Sequence, residues 1–160
     1  MVKKSSANKL IKWMRIISVL FIVISSYLLV LHYSDTESFC DFSQGLSCDI
    51  VNKSIYSEFP PGSGIPVSLM GIFTFILVLV ILHLIKTNAS FSIGNKIVEK
   101  KLLSNILFYL MIISLVFALY LVYTELFYIL SICILCVVLD ILILIMIVLT
   151  YKLRGVCYGN

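Results

Sequence analysis

Four stretches of this chain, roughly 16–33, 66–85, 102–123 and 127–150, are almost unbroken runs of apolar residues. Each is near the length of about 20 residues that a helix needs to cross about 30 Å of bilayer hydrocarbon. Lipid offers no water to satisfy backbone N–H and C=O groups, so a spanning segment pairs them internally, as a helix or within a closed barrel. The runs lack the in-and-out alternation of barrel strands, and the chain of 160 residues is short for a barrel. The expected fold class is therefore all-α, an integral membrane bundle of four transmembrane helices forming a single domain over 1–160. Composition agrees, with 61% hydrophobic and 12% charged residues, well outside the balance of soluble domains. The first run looks like a signal-peptide core behind a basic leader. Only His32, Tyr33 and Ser34 follow it, with no small-residue cleavage site, so it is expected to stay as an anchor.

The net charge of +4 matters through its placement. Lys3, Lys4, Lys9, Lys12 and Arg15 precede the first span, Lys86, Lys96, Lys100 and Lys101 fill the second connection, and Lys152 and Arg154 follow the last. Lys53 alone of the twelve basic residues falls in the first connection, beside Asp35, Glu37, Asp41, Asp49 and Glu58, while Glu125 marks the short third connection. Positive charge is retained on the cytoplasmic side during insertion. Both termini are thus expected in the cytoplasm, with 34–65 and 124–130 facing out. Basic residues confined to membrane flanks give no reason to expect a nucleic-acid partner.

The outer connection is the one long polar stretch. Within it Ile50, Val51, Ser54, Ile55 and Phe59 are spaced to share one face of a short amphipathic helix, which would lie on the membrane surface as a cap. Pro60-Pro61-Gly62-Ser63-Gly64 then breaks any helix and serves as the hinge into the second span.

Chemistry concentrates in the cysteines. Cys133 and Cys136 form a C-x-x-C motif at the outer end of the fourth span, about one helical turn apart and at the spacing of redox-active dithiols. With Ser131 as N-cap, Cys133 would fall in the first turn of a helix; a start nearer Leu126 would place it deeper. Cys40 and Cys48 lie in the outer loop, an expected oxidising compartment where disulfides persist. A structural staple would explain the loop pair alone. Two pairs on one side fit a relay better, because thiol-disulfide exchange passes electrons from pair to pair. The rival is a metal site built from all four cysteines, although seven residues between Cys40 and Cys48 is wider than a structural zinc pair. Cys157, in the cytoplasmic tail, is read as incidental.

A dithiol at membrane depth needs a lipid-soluble acceptor, and a quinone takes two electrons and two protons, matching one dithiol. Asp140 follows Cys133 by seven residues and Cys136 by four, so all three share a helix face with Asp140 a turn deeper. A carboxyl at that depth costs about 2.5–3.5 kcal/mol on insertion scales. It marks either a proton or quinone contact or a helix-helix hydrogen bond. His32 and His83 sit near opposite faces of the membrane and are expected to be interfacial anchors, with His32 on the side where it could assist proton movement.

Laid out this way, the chain resembles the vitamin K epoxide reductase family, in particular its microbial disulfide-forming members. The pattern is Cys40-Asp-Phe-Ser-Gln-Gly-Leu-Ser-Cys48, then Ser54, then Ile65-Pro-Val-Ser-Leu-Met-Gly71 entering the second span, and finally Cys133-Ile-Leu-Cys136 in the fourth. The other quinone-linked disulfide oxidases of bacterial inner membranes place C-x-x-C in the first outer loop instead.

The resemblance implies a four-helix bundle around a quinone of menaquinone, ubiquinone or vitamin K type. It implies that Cys40 exchanges with a thioredoxin-fold partner, expected here as a separate protein because the chain ends at Asn160. It further implies that Cys48 exchanges with Cys133 and that Cys136 faces the quinone. Ser54 matches the family's loop serine and, with Cys136, Asp140 and Val67, makes up the expected quinone-contacting set. Asp140 stands where animal members carry a tyrosine, and Val67 where they carry an asparagine. Both departures favour a plain quinone over an epoxide. The implied location is the plasma membrane of a microbe, with the site outside, or the endoplasmic reticulum in a eukaryote.

Overall fold

A computed structural model describes residues 2–34, 38–41, 43, 45–87 and 96–158, with side chains described over 7–156 of these except 96–100. The long helices are α1 (Val2–Tyr33), α3 (Val67–Thr87), α4 (Lys96–Thr124) and α5 (Ile134–Tyr158). A single-turn helix, α2 (Cys48–Asn52), and a 3-10 turn (Ile55–Ser57) lie between α1 and α3, and a π-helical turn (Glu125–Ile129) prolongs α4. Four helices are long and apolar enough to cross a membrane, with spans at Ala7–Tyr33, Val67–Thr87, Lys101–Ile129 and Ile134–Val156. The four-helix, all-α membrane bundle expected from the apolar runs is what the chain forms.

The buried stripes explain how the helices find one another. On α1, Ile11, Met14, Ser18, Phe21, Ser25 and Leu28 are buried, alternating three and four residues apart in the manner of a coiled-coil seam. On α3, Phe75, Val78, Leu82 and Ile85 repeat the pattern, as do Ile143, Met146, Thr150 and Leu153 on α5. Between lipid-bathed helices apolar burial gains little, so close packing of small residues takes over. Ser18, Ser25 and Gly71 supply it between α1 and α3. A Cβ on Gly71 would lie 3.2 Å from the Phe21 ring, and that ring stacks on Phe75 with centroids 3.6 Å apart. α1 packs chiefly on α3 and α5, and α4 on α5, while α3 and α4 touch more sparingly. Exposed apolar residues such as Val23, Phe73, Ile113 and Val148 cover the outside, as a bundle surrounded by lipid requires.

Two local expectations change. The segment 50–59 is not one amphipathic helix, because α2 stops at Asn52 and the 3-10 turn starts only at Ile55. Its apolar residues diverge, with Val51 buried while Ile50, Ile55 and Phe59 are exposed. The third helix also runs past 123 through the π turn and ends where Leu130 adopts a left-handed backbone, φ 54°. That conformation is costly for a side chain with a Cβ and stops the helix sharply. The break between the last two spans therefore falls at residues 130–133, and Glu125 belongs to a helical turn instead of a connection. The Pro60–Gly64 hinge closes as expected, with Gly62 and Gly64 at φ 78° and 76° and Phe59 N–H bonded to Ile65 O at 2.9 Å.

Candidate active site

The segment between α1 and α3 folds over one end of the bundle as a cap, held by side chains that bond backbone groups. Ser47 caps α2, its hydroxyl accepting from Ile50 N–H at 3.1 Å, and one oxygen of Asp49 accepts from Ser38 N–H at 2.9 Å. Asn52 donates to Leu28 O on α1 at 2.7 Å. The His32 Nδ1 meets the Asn52 carbonyl at 2.6 Å, and its Nε2 lies 3.8 Å from Glu58. His32 thus fastens the cap to α1, a more specific job than interfacial anchoring. His83 is exposed at the other end of the bundle.

Under this cap the two cysteine pairs come together. Cys40 and Cys48 form a disulfide, while Cys133 and Cys136 are free thiols with sulfurs 2.6 Å apart. Cys40, Cys48 and Cys133 are 2%, 0% and 0% exposed and pack in one cluster with Leu28, Leu31, Val51 and Cys136. Ile132 N–H donates to Gly45 O at 3.0 Å, tying the loop inside the disulfide to the residue just before Cys133.

The Ser131 alternative resolves differently from either reading. α5 starts at Ile134, and Cys133 itself occupies the N-cap position, its sulfur accepting the Cys136 N–H at 3.2 Å. Ser131 Oγ is buried with no partner among the described residues.

Beside the cluster lies a cavity of about 290 Å³ bounded by α1, α3, α4, α5 and the cap, at the low end of the range for small-molecule sites. Its walls are mostly apolar, including Leu28, Phe75, Phe117 and Leu139, and the few polar groups include Ser68, Glu125, Cys136 and Asp140. Of the expected quinone-contacting residues, Cys136, Asp140 and Val67 line this cavity. Ser54 does not, and its hydroxyl turns back to Val51 O at 2.8 Å. Four residues before Ser68 is Gly64, outside α3, so this first-turn hydroxyl has no helical i−4 carbonyl to use. Thr74 and Ser114, farther along their helices, each bond the i−4 carbonyl at 2.9 Å. Ser68 Oγ is left buried without a partner among the described residues. An apolar slot with an unspent hydroxyl fits a flat apolar molecule carrying carbonyl oxygens, which is what a quinone is.

Glu125 is the functional-site candidate that sequence reasoning missed. It is buried on the π turn, and its Oε2 accepts from Cys133 N–H at 3.3 Å. The one available signal was an acid eight residues before Cys133 inside an apolar stretch. Among the described residues, no group of three or more His, Cys, Asp or Glu is arranged to hold a metal ion. The Cys157 side chain lies outside those described.

The sequence profile of the vitamin K epoxide reductase family matches residues 12–151, a stretch that holds both cysteine pairs, the whole of the second and third spans and most of the first and fourth. No curated protein matches the chain.

Proposed function

The chain belongs to the vitamin K epoxide reductase family, and on that premise we propose that it is a quinone-linked thiol-disulfide oxidoreductase that oxidises a thioredoxin-fold partner and so drives disulfide formation. The observation that carries this reading is the packing of a Cys40–Cys48 disulfide against a Cys133/Cys136 dithiol whose Cys136 lines an apolar cavity. With the loop pair joined and the inner pair reduced, the chain stands at the stage after electrons have crossed between pairs and before they leave.

The steps on this chain's residues balance as follows. A partner thiolate attacks Cys40, breaking the Cys40–Cys48 bond and releasing Cys48 as thiolate. The second partner thiol then attacks the mixed disulfide, so the partner leaves oxidised and Cys40 and Cys48 remain reduced. Cys48 next attacks an oxidised Cys133–Cys136 bond at Cys133, and Cys40 resolves the Cys48–Cys133 bridge. The loop disulfide is restored and the inner dithiol formed. A quinone bound in the cavity supplies the two-electron, two-proton acceptor that returns Cys133 and Cys136 to a disulfide. Ser68, Val67, Asp140 and Cys136 would hold it, the Ser68 hydroxyl as donor to a carbonyl oxygen. In the reduced pair the Cys136 N–H holds the Cys133 sulfur at 3.2 Å, which keeps the two sulfurs adjacent for bond formation.

The cap is expected on the outer side and both termini in the cytoplasm, from the placement of the basic residues. A cysteine placed by Lys53→Cys should then react with an impermeant maleimide on intact cells or right-side-out vesicles, and one placed by Lys152→Cys should not. The deciding experiment is quinone reduction by purified protein with a reduced thioredoxin-fold donor. Wild type should be active. Cys48→Ala and Cys136→Ala should be inactive, and Cys40→Ala, which lacks the resolving thiol, should accumulate a Cys48–Cys133 mixed disulfide. Wild type failing with benzoquinones and naphthoquinones alike would sink the proposal.

A further inference from the structure

The relay of sulfurs leaves one buried acid without a task. Glu125 is 6% exposed and lies on a π-helical turn, a rare element that recurs at functional sites. One carboxyl oxygen holds the Cys133 N–H at 3.3 Å, while the Cys136 thiol donates to the Cys133 sulfur. It lines the cavity together with Cys136 and Asp140. Fixing the turn before α5 needs only one acceptor, which an uncharged side chain provides. An ionisable group in a spanning segment is costly to bury, and here it sits on the backbone N–H of one reacting cysteine and shares the cavity wall with the other.

We infer that Glu125 is the proton acceptor of the Cys133/Cys136 dithiol, receiving the Cys136 proton and passing it to Asp140 along the cavity wall. This rests on the quinone-linked oxidation proposed above. Oxidising the dithiol forms one S–S bond and breaks two S–H bonds. The two electrons go to the quinone. The Cys136 proton moves to the Glu125 carboxylate and on through Asp140 to the cavity, and the Cys133 proton follows by the same route once Glu125 has emptied. Both protons thus end on the quinone oxygens, and Glu125 finishes as it began. The groups beside Glu125 from α5 and its N-cap are Cys133, Cys136 and Asp140. α2, packed against the same π turn, brings Cys48, in its disulfide, and Asp49, which takes the Ser38 N–H.

Glu125→Gln keeps an oxygen for the Cys133 N–H but cannot carry a proton, and Glu125→Asp restores an acid. The first readout is redox-induced infrared difference spectroscopy on quinone-free protein, cycling Cys133/Cys136 with a small dithiol. Wild type should show a carboxyl band that changes between dithiol and disulfide, absent in Glu125→Gln and present in Glu125→Asp. The second is quinone reduction, which should fall about a hundredfold in Glu125→Gln, lose one limb of its pH profile, and recover in part in Glu125→Asp. Exchange of the partner with Cys40 should proceed in every variant, which shows that they are folded. Glu125→Gln matching wild type in both the infrared band and the pH profile overturns the inference. Wild type showing the Glu125 band but reducing no quinone overturns the proposed function and leaves the acid's coupling to the dithiol established.

Discussion

The two halves of the bundle are built by different rules. Away from the cap, the core is a continuous cluster running from Ile11 and Met14 to Met146 and Leu153, made by interlocking stripes in which each side chain has several neighbours. At the cap, a smaller cluster of sulfurs and aliphatic groups is held by single bonds from side chain to backbone: Asn52 to Leu28 O, His32 to Asn52 O, Ser47 to Ile50 N. Redundant packing makes a rigid frame. Point fastenings make a part that can open and close again, which thiol exchange at a buried disulfide needs.

Substitutions should separate the halves. The largest effect belongs to Cys136→Ala, which should reduce quinone reduction to background while leaving thermal unfolding in detergent unchanged. Phe75→Ala should do the reverse. By analogy with large-to-small core changes in soluble proteins it should cost about 3 kcal/mol, measured by reversible unfolding in mixed micelles, without altering how fast a small thiol reduces Cys40–Cys48. Asn52→Ala removes the side-chain bond that ties the cap to the Leu28 carbonyl, costing about 0.5–1.5 kcal/mol confined to the cap. A loss near 1.4 kcal/mol appears as about tenfold faster reduction of the loop disulfide by dithiothreitol, with global stability little changed. Equal destabilisation of both halves would break the distinction. Gly71→Ala pushes a methyl to 3.2 Å from Phe21 and should cost about 1 kcal/mol. Lys53→Ala, on an exposed cap residue, should stay within about 0.5 kcal/mol in either assay.

The same division decides what was legible in the sequence. Spanning helices are announced by length and composition alone, and the C-x-x-C spacing announces itself, so the bundle and the four cysteines could be read directly. Asp140 stood out because an acid one turn below Cys136 has no ordinary place in lipid. Glu125 was hidden by a boundary: an acid near the end of an apolar run reads as the start of a connection. The π turn and the left-handed Leu130 that draw it inside depend on tertiary packing, not on local pattern. The position of Ser54 off the cavity wall was hidden for a related reason. Its place in a motif set the expectation, but its hydroxyl found the Val51 carbonyl three residues back, a contact visible only once α2 is known to end at Asn52. Ser68 escaped notice because its value lies in a missing bond, set by its position in the first turn of α3.

The depth at which Cys40 and Cys48 are buried gives the closed cap a further meaning. Under the proposed function, a disulfide open to solvent would be reduced by any small thiol that drifted past, and the oxidising equivalents supplied by the quinone would be lost to side reactions. At 2% and 0% exposure the two sulfur-bearing residues are insulated from such thiols, and under the proposed function the partner protein must open the cap to close the circuit.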